Sequence, residues 1–145
     1  MEIRRCTIDD VNDIYRLICQ LEEAKMSYTK FEIAYKNKLS DEKNYYLVVL
    51  IDEKIVGFIS INIDYQLHHE NKVATIEELI TDSEYRGQGL GKALVVYAKA
   101  LAIDNYCDVI ELTSNFTRTN AHQFYQNNGF DKSSYKFKLD LTEEI

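Results

Sequence analysis

The sequence predicts a mixed α/β fold built as a single domain over residues 1–145, with part of its central sheet parallel and helices on both faces. Three observations carry this. Apolar residues recur at helical spacing near the start and again past the middle of the chain. Between those stretches the pattern changes to runs rich in β-branched and aromatic residues. In the C-terminal half, strand-like and helix-like segments alternate, and a helical crossover between strands makes them parallel.

The elements follow in order. Glu2 to Cys6 reads as a short strand, and Thr7-Ile8-Asp9-Asp10 as an N-cap with acids in the first helical turn. Val11, Ile14, Tyr15, Ile18 and Leu21 then form one apolar stripe. A second helix is expected from Thr29 to Leu39. Tyr45 to Ile51 and Ile55 to Asp64, around the break Asp52-Glu53-Lys54, predict an antiparallel hairpin. Tyr65 to Asn71 is read as a loop holding His68 and His69, and Val73 to Thr81 as the next strand. Leu90, Ala93, Leu94, Tyr97, Ala98 and Leu101 mark the clearest helix. Val109 to Thr113 is expected as a strand, Asn120 to Asn127 as a helix stopped by Asn128-Gly129, and Ser134 to Leu141 as a final strand.

Composition narrows the function classes. With no proline, no repeat and no Gly/Ser-rich linker, nothing marks a domain boundary. No apolar run reaches the roughly 18 residues of a membrane span, and the polar start MEIRRCTIDD lacks the apolar core of a signal peptide. A cytoplasmic protein without a membrane partner is expected. Cys6, Cys19 and Cys107 are odd in number and widely spaced, which points to reduced, packed thiols. The net charge of −7 argues against nucleic acid and tolerates a cationic amine.

The chemistry concentrates in Tyr85-Arg86-Gly87-Gln88-Gly89-Leu90-Gly91-Lys92, where a strand ends and the clearest helix begins. Free backbone N–H groups, the helix dipole and Lys92 favour an anion there, and glycines let a diphosphate approach the main chain. A Walker A loop ending at Gly91-Lys92 would need glycine at 86 and a hydroxyl at 93, where Arg86 and Ala93 stand. The dinucleotide fingerprint starting at Gly87 would need glycine at 92, where Lys92 stands.

Arg86 to Gly91 does fit R-x-x-G-x-G, and the chain resembles the GNAT-type N-acetyltransferase superfamily at further points. The strand Ala74-Thr75-Ile76-Glu77-Glu78-Leu79-Ile80 precedes the turn. Asn120-Ala121-His122-Gln123-Phe124-Tyr125 with Gly129-Phe130 follows it, like the family's N-x-x-A-x-x-F-Y-x-x-x-G-F segment with its first spacing compressed. The resemblance implies acetyl-CoA as co-substrate, a splayed strand pair forming the acyl-CoA cleft, and a small-molecule amine as acceptor. Arg86, Gly87, Gln88, Gly89, Leu90, Gly91, Lys92 and Asn120 would hold CoA. A backbone N–H near Leu79 or Ile80 would polarise the thioester carbonyl. Tyr125 would protonate the thiolate, since a phenol of pKa about 10 can serve a thiol near about 8.5. Glu77 and Glu78 are the candidate bases; strand alternation lets only one face the cleft unless a bulge intervenes, and Glu78 is favoured.

A narrower likeness, to bacterial aminoalkylphosphonate N-acetyltransferases, lies in Ile14 to Leu21, Leu67-His68-His69, Glu111 to Asn115 and Ala121 to Tyr125. It implies an amino-phosphonate acceptor and a divalent metal, with His68 and His69 as candidate ligands for the anion or metal. That subfamily carries an acid where this chain has Thr75, which puts Thr75 among the substrate candidates. Other acceptors in view are a polyamine, an amino acid or a protein N-terminus. A non-catalytic acyl-CoA sensor is the rival of another class, and a homodimer is the assembly in view.

Overall fold

The computed structural model describes residues 1–142, which divide after Leu112 into two compact units. The first holds a five-stranded sheet in the order β1 (Glu2–Arg5), β2 (Asn44–Ile51), β3 (Lys54–Gln66), β4 (Asn71–Thr81) and β5 (Val109–Leu112). The first three pairings are antiparallel. The fourth is parallel, because helix α3 (Leu90–Asp104) carries the chain over from β4 to β5.

Helices α1 (Val11–Glu22) and α2 (Tyr28–Leu39) lie on one face of the sheet. There Ile14, Leu17, Ile18 and Tyr35 join Tyr46, Val48, Leu50, Phe58 and Ile80 in one buried cluster. Pleating sends the alternate residues to the other face, where Gly57 and Val49 meet Leu94 of α3. The 3-10 turn Ile8–Asp10 that leads into α1 is held by a capping box in which Thr7 N–H donates to Asp10 Oδ2 at 2.8 Å, and Arg4 grips the same carboxylate through two nitrogens at 2.8 and 3.0 Å. The Arg4 guanidinium and the Thr7 N–H outweigh burial and hold the Asp10 carboxyl below its ordinary pKa.

The hairpin between β2 and β3 closes on two residues, Asp52 and Glu53, with φ of 49° and 65°. Two successive left-handed residues are the turn whose twist matches antiparallel strands. The loop expected at Tyr65 to Asn71 is shorter than the sequence suggested. Pairing of β3 with β4 continues to Gln66↔Asn71, and only a tight 3-10 turn, Leu67–His69, with Glu70 remains between them. The three cysteines are free thiols, and burial pushes Cys6 up to about 12.

The second unit carries α4 (Thr119–Asn127), closed by Asn128 and Gly129 N–H groups returning to carbonyls of its last turn. The strand expected at Ser134 to Leu141 is not formed. Its alternation is real, and Tyr135, Phe137, Leu139 and Leu141 are all exposed. Alternation fixes which side chains share a face, but a strand also needs a neighbouring edge for its backbone groups, and no local pattern supplies one.

Candidate active site

The path from β4 to α3 is fixed from below. Asp82, 2% exposed, donates its N–H to the Val56 carbonyl at 2.8 Å and accepts the Glu84 N–H through Oδ1 at 3.1 Å. Arg16 of α1 reaches Asp82 Oδ2 at 2.6 Å and the Ile55 carbonyl at 3.2 Å, while Gln20, one turn on, accepts the Ser83 N–H at 3.0 Å. Burial pushes the Asp82 carboxyl up, but the Glu84 N–H and the Arg16 guanidinium prevail and hold it below its usual pKa. Arg16 and Gln20 lie in the stretch Ile14 to Leu21 that carries the narrower likeness, but no sequence reading assigns a role to them or to Asp82. The available signal is the i, i+4 spacing of Arg16 and Gln20, which puts two long polar side chains on one side of the helix.

Above this footing the turn is exposed. Gly87 and Gly89 have φ of +82° and +78°, and a Cβ on either would meet no protein atom within 4 Å. Gly89 caps α3 in the left-handed conformation, so the first N–H groups of the helix, from Leu90, Gly91 and Lys92, face outward without an intrahelical partner. This is an open main-chain cradle with the positive end of a 15-residue helix behind it. Arg86, Gln88 and Lys92 are exposed around it.

Strand β4 is paired along its whole length with β3 but only over its first half with β5. The parallel register stops at Ile76↔Leu112, so Glu77 to Thr81 have no partner on the β5 side within this sheet. Backbone groups in the Leu79 and Ile80 stretch that turn away from β3 therefore have no strand partner, just before the glycine turn.

A bulge sits in the same half. Ser60 pairs with Glu78 and Ile61 with Ile76, which leaves Glu77 as the extra residue. Strict alternation would have put the two carboxylates on opposite faces. Instead Glu77 meets Lys38 of α2 at 3.3 Å, and Glu78 meets Ser60 on β3. Burial raises the Glu78 pKa, the Ser60 bond opposes that, and the Glu77 charge adds to the rise. Tyr46, across the sheet, is likewise raised by burial and by the charges of Glu78 and Glu77.

His68 and His69 lie at the other end of β4, roughly 20 Å of strand from Glu78. Their rings are 4.4 Å apart, and His69 Nε2 is 2.6 Å from Glu111 Oε1 on β5. Thr75 is the register partner of Glu111. Among the described residues no group of three His, Cys, Asp or Glu side chains, His68, His69 and Glu111 included, is placed to share an ion. The described residues do not fit the divalent metal that the resemblance implies.

In the second unit, Tyr125 is half-buried between Phe124 and Phe130, with ring centroids at 5.5 and 5.9 Å in edge contacts. Burial raises its pKa against the opposing Arg118 charge, so the phenol keeps its proton at neutral pH. Asn120 is exposed in the first turn of α4. His122 contacts the Asn115 carbonyl at 2.8 Å, and the buried Ser114 hydroxyl has no hydrogen-bond partner.

Known proteins resemble this chain over most of its length. Residues 8–130 match the model of the acetyltransferase (GNAT) family. An aminoalkylphosphonate N-acetyltransferase of Salmonella typhimurium is 32% identical over 97% of this chain and 91% of its own length. An uncharacterized N-acetyltransferase of Archaeoglobus fulgidus is 31% identical over 86% of this chain and 89% of its own. Among solved structures, a protein of Bacillus halodurans described as a transcriptional regulator superposes with a TM-score of 0.90 at 29% identity, covering 97% of this chain and 99% of that one. A Trypanosoma brucei acetyltransferase superposes at 0.80 with 26% identity, covering 97% and 99%.

Proposed function

The chain belongs to the GNAT family of N-acetyltransferases, and from that premise we propose that it acetylates the primary amine of an aminoalkylphosphonate by direct attack on acetyl-CoA in a ternary complex. The observation that carries the donor half is the opened half of β4 beside the glycine turn. The acceptor half is supported by the near full-length likeness to a relative named for that substrate class.

In this reading the outward N–H groups at the start of α3, with Arg86 and Lys92, bind the pyrophosphate, Gln88 lines the approach, and Asn120 completes the CoA contacts. The unpartnered Ser114 hydroxyl is a further donor suited to a polar ligand. A main-chain N–H of Leu79 or Ile80 donates to the thioester carbonyl and stabilises the oxyanion, a contribution of about 3 to 4 kcal/mol in other acyl-transfer sites. Glu78 takes a proton from the substrate ammonium, directly or through water, while Lys38 neutralises Glu77. The amine nitrogen attacks, the C–S bond breaks as the thiolate takes the Tyr125 proton, and the second proton, lost from the nitrogen as the amide forms, returns to Tyr125 through water.

The same proposal makes the chain one catalytic domain, since the family match runs without interruption across the Leu112–Thr113 boundary. Its free thiols suit the cytoplasm. It includes a homodimer, for which the exposed apolar row from Tyr135 to Leu141 is the support. Purified protein given acetyl-CoA and 2-aminoethylphosphonate should release CoA thiol with amide formation. Turnover on a polyamine, an amino acid or a peptide N-terminus instead would reassign the acceptor, and tight CoA binding with no turnover on any amine would make the chain a sensor.

A further inference from the structure

We propose that Ser60 is a positioning residue for the acetyl-transfer reaction, holding the Glu78 carboxylate in the orientation from which it accepts the substrate proton. This rests on the reading of Glu78 as the general base.

Ser60 is the single polar side chain in the β3 run Val56-Gly57-Phe58-Ile59-Ser60-Ile61, and it is 0% exposed. A hydroxyl withdrawn from water in an apolar run is costly unless it is bonded. Its two bonds both go to one residue. The Glu78 N–H donates to Ser60 Oγ at 2.8 Å, and Ser60 Oγ donates to Glu78 Oε1. A backbone N–H can only donate, so it occupies a lone pair of Oγ and leaves the hydroxyl proton to the carboxylate. The closed ring ties the Glu78 side chain to its own main chain through Ser60, with the proton direction fixed.

The bulge explains why this device sits here. It places Glu77 and Glu78 on the α2 side together, where Lys38 pairs with Glu77, and Ser60 alone bonds Glu78. Among the described residues Glu78 Oε2 takes no hydrogen bond, which leaves that oxygen for the substrate. The other groups that bear on the carboxylate are Glu22 of α1, Lys38 of α2, Tyr46 of β2 and Glu77. The Ser60 bond favours the ionised form, whereas burial and the Glu77 charge favour the protonated one.

The test uses the whole chain with Ser60→Ala, Ser60→Thr and Glu78→Gln, and Ser60→Cys as the volume-preserving variant should alanine fail to fold. Protein labelled with carboxyl ¹³C glutamate is titrated by NMR, the Glu78 signal being the one lost in Glu78→Gln. In parallel, kcat/KM is followed against pH with acetyl-CoA and 2-aminoethylphosphonate. In Ser60→Ala the Glu78 signal should titrate at higher pH, and kcat/KM at the acid end should fall by about three- to tenfold as the acid limb moves up. Ser60→Thr should restore both. A Glu78 titration unchanged in Ser60→Ala and Ser60→Cys overturns the proposal whether or not this amine is turned over. An acid limb that vanishes in Glu78→Gln but ignores Ser60→Ala overturns it alone, and an acid limb that survives Glu78→Gln removes the base reading and the proposal with it.

Discussion

A Cβ at position 89 would meet no protein atom within 4 Å, so packing within the protein does not require glycine there, whereas the proposed pyrophosphate contact would. Gly89→Val should raise KM for acetyl-CoA by about tenfold or more, through crowding and through the roughly 1–2 kcal/mol that φ of +78° costs a residue with a Cβ. Isothermal titration with CoA separates binding from turnover, and retained affinity would discredit the cradle. Tyr125→Phe should lower kcat by about a hundredfold while KM for acetyl-CoA stays within about twofold. Equal loss in both would make Tyr125 a packing residue. These positions stand out in the sequence because their partners in the motif are neighbours along the chain. Ser60 and Glu78 are 18 residues apart and Arg16 and Asp82 are 66 apart, so the chain offers no local sign that they meet.

Individual elements show where strand reading succeeds and stops. The hairpin, α1 and α3 follow from the period of their apolar residues. The bulge does not, because one unpaired residue in β4 leaves composition and period almost unchanged, yet it decides that both carboxylates share a face. The unformed strand at Ser134 to Leu141 fails for the opposite reason, since its pattern is strong and its partner missing. Within β3, a Cβ on Gly57 would lie 2.6 Å from Val49 Cγ1 and 3.4 Å from the Ile80 carbonyl. Gly57→Ala should therefore destabilise by about 1–3 kcal/mol through overpacking, read as a lower urea midpoint with an unchanged slope. An unchanged midpoint would mean that Val49 turns aside freely.

For the molecule as a whole, acid should be the weak side. Asp10 and Asp82 are both held below the ordinary carboxylate pKa, so the stability they contribute is present above the unfolded value of about 4 and is lost as pH falls through their folded values. Urea midpoints should drop below about pH 4, and Asp82→Asn should flatten that drop while lowering the midpoint at pH 7. A wild-type acid slope in Asp82→Asn would refute the assignment. Glu78 works with the reverse sign: its raised pKa means that stability falls as pH rises through its folded value, a cost consistent with its proposed role as base. The dimer proposal is checked at this scale too. Phe137→Asp with Leu139→Asp should shift the light-scattering mass from two chains to one, and an unaffected dimer would exclude the exposed row as its interface.

The half-paired state of β4 also limits what mutational scanning can find. The group proposed to polarise the thioester belongs to the main chain, so every residue but proline carries it. Alanine at Leu79 or Ile80 would report on packing and pass over the donor entirely. Sequence drift at these positions is correspondingly free to alter the acceptor's surroundings while the acetyl-activating group is inherited intact.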